Sequence, residues 1–199
     1  MTIRLHLLCA ASTPAIRSAS FPSNEPLDKE GRKALAAFTG SLPPFNKAWI
    51  SPGLSAVQTA GGLAISATAD ARLRDCDFGR WAGLSLGAVH AAEPGVLAAW
   101  LSDPAAAPHG GESFADVMAR VQAWMDGLLD GSGSVLAITH PSIIRAAIAS
   151  ALGASPSALS RIDVAPLTRA RLSGACGRWT LSALLPFRAP DFKCGPRIG

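Results

Sequence analysis

Apolar positions in this sequence recur with two different periods, which separate predicted strands from predicted helices. Short runs that are continuously apolar, or that alternate with polar residues between turn-forming residues, predict strands. They occur at Ile3 to Ala10, Lys47 to Ser51, Leu63 to Thr68, Ser134 to Thr139, Ala170 to Leu172 and Trp179 to Leu185. Apolar residues three and four positions apart predict helices at Asp28 to Phe38, Leu54 to Gly61, Leu84 to His90, Glu112 to Leu129 and Pro141 to Leu152.

The alternation of strands and helices predicts an α/β fold. It favours a mostly parallel sheet covered by helices on both faces, which is a three-layer α/β/α sandwich. In such folds, functional residues collect at the carboxyl ends of the strands. His140 follows the apolar strand that ends at Thr139, and Pro141 stands where the first turn of a helix accepts proline. We therefore expect a domain over residues 1–185 with His140 at a strand end, and an irregular tail over 186–199.

Composition narrows the class of protein. The chain has 199 residues, of which 49% are apolar, and this is typical of one globular domain. No apolar run approaches the roughly 20 residues that span a membrane. The start of the chain has one basic residue, Arg4, and an apolar run broken by His6, so a first strand explains it better than a signal peptide. We expect a soluble cytoplasmic protein with no membrane partner.

Cysteine spacing and charge exclude two further classes of site. The four cysteines, Cys9, Cys76, Cys176 and Cys194, have no zinc-site spacing, so we expect free thiols, no metal and no cofactor. The net charge of +4 comes with two loose groups of arginines. These are Arg72, Arg74 and Arg80, and Arg161, Arg169, Arg171 and Arg178. They attract anions, but without interleaved aromatic residues they do not indicate a nucleic-acid partner.

Six separated segments carry a family resemblance. Leu5 to Thr13 resembles a first strand with its Arg-His-Gly-Glu-Thr loop, and Pro26 to Gly31 is similar to a Pro-Leu-Thr-x-x-Gly helix start. Ser51 to Ala60 resembles Ser-Pro-Leu-x-Arg-Ala-x-Gln-Thr-Ala. The remaining segments are Leu73 to Gly83, the Gly-Gly-Glu-Ser of Gly110 to Ser113, and Val135 to His140. In this order they resemble the histidine phosphatase superfamily, which is phosphoglycerate-mutase-like.

The resemblance implies a two-step phosphoryl transfer. A histidine nitrogen attacks the phosphoryl group, two arginines and a second histidine hold its oxygens, and a carboxylic acid protonates the leaving oxygen. The nucleophile divides the displacement into two steps, and the cations balance the charge on the phosphoryl oxygens.

This sequence departs from the family at the positions that carry that chemistry. Cys9 stands in place of the first arginine, Ala10 in place of the nucleophilic histidine, and Ser55 in place of the second arginine. Ile16 replaces an asparagine that often follows in the loop. Alanine has no atom that can attack, and without guanidiniums the site lacks bidentate donors for phosphate. We predict a catalytically inactive relative, a pseudophosphatase.

Several residues of the family pattern survive. His140 matches the second histidine, and Asp75 is a possible acid. We expect the pocket to be lined also by Thr13, His109, Glu112 and Ser142. Simpler roles stay open: His140 can cap a strand end by hydrogen bonding, and Asp75 can pair with Arg72 or Arg74.

Three functions remain open on this evidence. The first is a binding or regulatory module for an unknown small molecule or protein, with weak anion binding at the helix start beside His140. The second is a phosphomonoester hydrolase with a rearranged site, in which His140 is the base and Asp75 or Glu112 the acid. The third is a structural subunit.

Two other residues have chemistry without a clear use. Cys9 is a possible nucleophile, but a cysteine-phosphatase loop needs an arginine six positions later, where the chain has Ala15. A small apolar residue at a strand end explains Cys9 better. His6 shares the side-chain parity of Ala10, yet lies about 13 Å back along the strand, so we expect a satisfied interior histidine.

Overall fold

One six-stranded sheet organises the part of the chain that the structure describes. The structure is a computed structural model, and it describes residues 2–38 and 42–187. The strands are β1 (Ile3–Cys9), β2 (Lys47–Ile50), β3 (Thr68–Ala69), β4 (Gly133–Thr139), β5 (Arg169–Ala175) and β6 (Arg178–Leu185). Their order is β3-β2-β4-β1-β5-β6. The first four strands are parallel, and β5 and β6 are antiparallel to their neighbours, so the predicted mostly parallel α/β sheet is confirmed.

Helices cover both faces of this sheet. They are α1 (Pro14–Arg17), α2 (Lys29–Ala36), α3 (Leu54–Gly62), α4 (Leu86–Ala92), α5 (Pro94–Ser102), α6 (Phe114–Asp126) and α7 (Pro141–Ala151). Short 3-10 turns lie at Ala71–Leu73, Gly79–Trp81 and Pro156–Arg161. Helices α6 and α7 pack on one face of the sheet with the last 3-10 turn, and α3 packs on the other face with α2 beside it.

Alternation along β1 distributes its side chains between the two cores. Leu5 and Leu7 face α6 and α7 with no more than 1% of their surface exposed, while Leu8 and Ala10 face the side of α3. This is the period of two that a strand imposes. Burying each leucine contributes about 1.5–3 kcal/mol to folding. Because both faces of β1 are buried, its carboxyl end is held in the middle of the molecule.

One predicted strand is wrong. The run from Leu63 to Thr68 forms a strand only at Thr68–Ala69, because α3 continues to Gly62 and then closes in a turn. The amides of Leu63 and Ala64 donate to carbonyls of the last turn of α3, and Ala64 has a φ of 54°. These helix-end bonds use the backbone groups that a longer strand would need.

Helix boundaries also differ from the prediction, and capping explains the difference. Helix α6 begins at Phe114 rather than Glu112, since Ser113 and Asp116 form a reciprocal capping box. Helix α4 begins at Leu86 rather than Leu84, because the Ser85 hydroxyl accepts the amide of Ala88. Helix α5 was not predicted, although Pro94 at its first turn is a start signal.

The predicted C-terminal tail is only partly within the described residues. Residues 186 and 187 have no regular structure, and the Phe187 ring packs on Phe38 with 5.2 Å between centroids. Residues 188–199, with Cys194, lie outside the described residues. Across residues 2–38 and 42–187, no helix combines the length and apolar character that crossing a membrane requires.

Candidate functional site

Three strand ends meet at the carboxyl edge of the parallel part of the sheet. The Ala10 amide donates to the Thr139 carbonyl at 2.7 Å, and the Ser51 amide donates to the Ile138 carbonyl at 2.9 Å. These bonds continue the ladders of β1, β2 and β4 by one residue beyond each strand. They bring Ala10, Ser51 and His140 together, as expected for a parallel sheet.

His140 is the centre of this edge. It occupies the N-cap position of α7, but its side chain makes no capping bond and points elsewhere. Its Nε2 lies 2.8 Å from Ser51 Oγ, and its Nδ1 lies 3.7 Å from Asp75 Oδ2. The ring also lies against Gly53, where a Cβ would come within 2.8 Å of Nε2. The imidazole is 8% exposed, so it is enclosed by these neighbours.

Asp75 joins this group through α7. The Ser142 hydroxyl donates a hydrogen bond to Asp75 Oδ1, and the Cys76 amide donates to the same oxygen at 2.9 Å. The predicted alternative partners are engaged elsewhere. Arg72 pairs with Asp70 at 2.7 Å and Arg74 pairs with Glu112 at 2.8 Å. The structure therefore places Asp75 with His140 and Ser142 and not with the arginines.

Cys9, Ala10 and Ser55 are shielded from solvent at the same edge. Cys9 is 0% exposed, Ala10 4% and Ser55 6%. Cys9 lies in the core beneath α6 and α7, while Ala10 lies in the core on the α3 side. Ser55 lies in the first turn of α3, and its carbonyl accepts the Thr59 hydroxyl at 2.7 Å. Cys9 and Ala10 thus each pack among apolar neighbours, while Ser55 is covered within the first turn of α3.

Burial disfavours the thiolate of Cys9 at the end of β1. Desolvation, followed by the charge of Asp75, raises the pKa of Cys9 far above its usual range. Desolvation likewise raises the pKa of Cys76, and the charges of Asp75 and Glu112 raise it further. Both groups stay protonated through neutral pH, and a thiol without thiolate is a poor nucleophile.

This difference in thiol reactivity is testable. At pH 8 we expect iodoacetamide to modify Cys176, which is exposed, and to leave Cys9 and Cys76 unmodified in the folded protein. Raising the pH to 9 is not expected to change that pattern, since both raised pKa values lie above it. Peptide mapping by mass spectrometry measures each site separately, and labelling in urea is the control. Rapid labelling of Cys9 in the folded protein contradicts the closed edge.

The other predicted pocket residues are distributed around this edge. Thr13 is buried at the N-cap of α1, with no capping bond from its side chain. Glu112 binds two guanidiniums, those of Arg74 and Arg120, each at 2.8 Å. It also accepts the Asp77 amide at 3.1 Å. Both carboxylate oxygens of Glu112 are therefore used to join the segment of Arg74 and Asp77 to Arg120 on α6.

His109 lies in an aromatic cluster. It is 2% exposed, and its ring centroid is 4.9 Å from that of Trp81. Phe78 and Trp100 are the next rings, at 6.2 and 6.1 Å. Its Nδ1 accepts the Gly111 amide at 3.0 Å, and burial lowers its pKa. His109 is therefore a neutral side chain that packs the Gly110–Gly111 loop against the aromatic residues.

Ser51 and Arg120 are parts of the site that sequence reasoning missed. Ser51 is 0% exposed and supplies the hydroxyl beside His140. Its position at a strand end next to proline was the available signal. Arg120 holds the chain around Asp75 from α6, with a hydrogen bond to the Asp75 carbonyl at 3.4 Å. Nothing in its sequence neighbourhood distinguishes it from a solvated arginine.

The arrangement places a hydroxyl, an imidazole and a carboxylate where a proton could pass between them. Ser51, His140 and Asp75 form a hydroxyl, imidazole and carboxylate in series. Among the described residues, no group of three or more His, Cys, Asp or Glu side chains is placed to bind a metal ion. The guanidiniums of Arg74 and Arg120 are both committed to Glu112.

Comparison with known proteins identifies the fold and the family. The native structure of a mycobacterial glucosyl-3-phosphoglycerate phosphatase superposes with a TM-score of 0.79 at 26% identity, covering 92% of this chain and 98% of that chain. A bifunctional protein of Mycobacterium tuberculosis is 34% identical over 141 residues, which are 69% of this chain. This chain spans only 37% of the length of that relative.

A shorter match and a family profile agree with these relatives. A glucosyl-3-phosphoglycerate phosphatase of Mycobacterium tuberculosis is 49% identical over 51 residues, which are 26% of this chain and 23% of that protein. The profile of the histidine phosphatase superfamily (branch 1) matches residues 7–185, nearly the whole described chain. The chain therefore belongs to the histidine phosphatase superfamily.

Proposed function

We propose that this chain has lost the phosphoryl-transfer chemistry of its family and acts as a binding or regulatory module, a pseudophosphatase. The observation that carries this proposal is the state of three positions at the carboxyl edge. Cys9, Ala10 and Ser55 take the places of the first arginine, the nucleophile and the second arginine, and all three are at most 6% exposed. Small, buried side chains at these places provide neither attack nor phosphate binding.

The size of the chemical loss supports the proposal. Removing a catalytic nucleophile lowers turnover by about four to six orders of magnitude. Removing two guanidiniums also removes the donors that match phosphate in pairs. The thiol of Cys9 is not a substitute, because burial and the Asp75 charge raise its pKa. Glucosyl-3-phosphoglycerate hydrolysis, the activity named for two relatives, is therefore not expected in this chain.

The proposed module keeps a limited capacity for anions. Helix α7 begins beside His140 and directs its first amides toward the carboxyl edge. We expect anion binding there to be weak, since no guanidinium supports it. The proposed partner is a small molecule or a protein. Neither nucleic acid nor a membrane is proposed as a partner, and cytoplasmic location remains a prediction.

Orthovanadate and inorganic phosphate test this loss of phosphate binding. A ligand at 100 times its Kd adds about 2.7 kcal/mol to stability, which raises Tm by about 5–10 °C for a domain of this size. We expect 5 mM of either anion to leave Tm unchanged within 1 °C, as measured by differential scanning calorimetry against sodium chloride of equal ionic strength. A rise that His140→Ala abolishes contradicts the proposal.

A second candidate function is hydrolysis by a rearranged site. The observation that favours it is the series Ser51, His140 and Asp75, with 2.8 and 3.7 Å between successive groups. A hydroxyl beside an imidazole that faces a carboxylate is the arrangement of an activated nucleophile. Burial argues against it, because Ser51 is 0% exposed and also accepts the Gly53 amide at 3.1 Å.

A fluorophosphonate probe distinguishes the two candidates. It phosphonylates an activated serine, so a working site would give a mass increase on the peptide that contains Ser51, and Ser51→Ala would remove it. We expect no modification of Ser51 in the folded protein after one hour at pH 8. Labelling of Ser51 that depends on His140 establishes the hydrolase and overturns the binding module.

A further inference from the structure

A cavity of about 230 Å³ lies on the sheet face that α3 covers only in part. It is lined by the polar side chains of His6, Arg169 and Arg171 and by apolar residues that include Leu8, Leu42 and Leu185. It lies away from the carboxyl edge, since His6 stands four residues before Ala10 on β1. No acidic residue lines this cavity within the described part of the chain.

Strand register explains why the basic groups gather here. His6 pairs directly with Arg171 between β1 and β5, and Leu8 pairs with Arg169. Directly opposed residues of antiparallel strands project to the same face of a sheet. Two residues further along each strand return to that face, so Arg4 belongs to the same stripe. The fold thus places Arg169 and Arg171 of the second loose arginine group beside His6 and Arg4.

The His6 side chain is buried in this group without a partner. It is 9% exposed, and within the described residues its ring makes no hydrogen bond. The expectation of a satisfied interior histidine does not fit this placement. Burial lowers the pKa of His6, and the charges of Arg171, Arg4 and Arg169 lower it further. From the other elements around it, Leu136 on β4, Leu185 on β6 and the Leu42–Pro43 segment add no charge.

We propose that this cavity binds a small organic anion with an apolar tail. Arg171 and His6 hold the anionic head, and the leucines contact the tail. Arg171 has no ion pair within the described residues, so its guanidinium is available for a charge-assisted hydrogen bond. Arg169 lies over the Phe38 ring at 5.9 Å, which places its charge beside the same apolar floor.

Volume and lining set the class of ligand. The cavity is smaller than the roughly 300–1,000 Å³ of sites for drug-sized molecules, so a short tail fits it. An inorganic anion would contact only the basic side chains, and a neutral lipid would contact only the leucines. The inference is independent of the carboxyl edge, because it involves neither His140 nor Asp75. It can fail while the loss of phosphoryl transfer stands, and the reverse also holds.

Hexane-1-sulfonate is the probe, since it stays ionised at every pH used. Methanesulfonate provides the head without the tail, and 1-hexanol provides the tail without the head. Carbon-bound proton resonances of the histidine rings, followed in heteronuclear NMR spectra, report binding at each histidine. His6→Gln assigns the His6 signal. We expect hexane-1-sulfonate to shift the His6 signal and to leave the His140 signal unshifted. It should bind at least tenfold more tightly than methanesulfonate or 1-hexanol.

Two variants test the head group. Arg171→Gln is expected to weaken binding by about tenfold or more, because it removes a charge-assisted hydrogen bond. Arg178→Gln, on the neighbouring strand and exposed, is the matched control and should bind as the wild type does. Arg171 is exposed, so its replacement leaves the fold intact, which the NMR spectrum verifies.

The pH dependence follows from the charge of His6. A bound anion favours the protonated ring, so it raises the pKa of His6, and affinity must rise as pH falls from 8 to 6. His6→Gln should lose this dependence. The proposal is overturned if the His6 signal does not respond, if Arg171→Gln binds like the wild type, or if methanesulfonate binds as tightly as hexane-1-sulfonate.

Discussion

Replacing Arg120 with methionine is expected to lower the free energy of unfolding by about 1.5–3 kcal/mol, the range for losing hydrogen bonds to a charged, partly buried group. The guanidinium is 11% exposed and the Glu112 carboxylate 14%. Arg120 Nε and Nη2 donate to the two Glu112 oxygens at 2.9 and 2.8 Å. Its Nη1 donates to the carbonyls of Arg72 and Arg74, at 2.7 and 3.1 Å.

Urea denaturation of matched variants measures this effect. Arg80→Met is the control, because the pair of Arg80 with Glu93 is 48% and 33% exposed. It should cost no more than about 1 kcal/mol, as exposed pairs do. Equal losses in the two variants contradict a structural role for Arg120. We also expect Arg120→Met to loosen Asp75, whose carbonyl Arg120 holds, and so to broaden the His140 resonances.

Replacing Gly31 with alanine is expected to cost about 2–3 kcal/mol, in the range for forcing the backbone to move. A Cβ at this position would lie 2.2 Å from the Ser12 carbonyl oxygen, which belongs to the backbone. The Asp28 amide donates to that same oxygen at 3.0 Å. The contact fixes the loop after β1 on the first turn of α2, at Ser12, two residues after Ala10.

Gly61 in α3 provides the matched control for this substitution. Nothing lies within 4 Å of a Cβ built there. Gly61→Ala should be neutral or stabilise by up to about 1 kcal/mol, since alanine favours a helix over glycine. Thermal unfolding of both variants gives the comparison. If Gly31→Ala is as stable as Gly61→Ala, the loop after β1 is not anchored as described.

The apolar pattern was sufficient to predict the long strands, because each of them consists of a run of apolar or alternating residues. The run Val135-Leu136-Ala137-Ile138 is apolar throughout, and the structure buries it on both faces. Strand β3 has two residues, which is too short to give a pattern. The apolar run before it belongs to the end of α3 and the turn that follows. Local pattern cannot show which of two neighbouring elements takes a short apolar run.

The candidate site could be predicted only in part from the sequence, for a different reason. The position of His140 followed from a strand that ends in front of a proline. Its partner Ser51 is 89 residues away, and the hydroxyl faces the imidazole only because β2 and β4 are neighbours. Glu112 was expected in the pocket, yet its role depends on Arg74 and Arg120, which approach from other elements. Strand register and side-chain direction decide which of these side chains meet, and neither can be inferred from neighbouring residues in the sequence.

Small, buried side chains stand at the carboxyl edge of β1. Cys9, the last residue of β1, and Ala10, which follows it, face opposite cores, and their small side chains let both cores pack up to the strand end. His140 is retained, but its nitrogens face Ser51 and Asp75. Arg4, Arg169 and Arg171 lie away from this edge, on the sheet face around His6.

Hydrolysis of p-nitrophenyl phosphate by the wild type and by His140→Ala, from pH 5 to pH 9, tests the proposed loss of phosphoryl transfer most directly. A generic phosphatase assayed in parallel verifies the substrate and the buffers. We predict no turnover above the blank for either form at any pH. Turnover by the wild type that disappears in His140→Ala would contradict the pseudophosphatase and show that His140 still catalyses phosphate-ester hydrolysis.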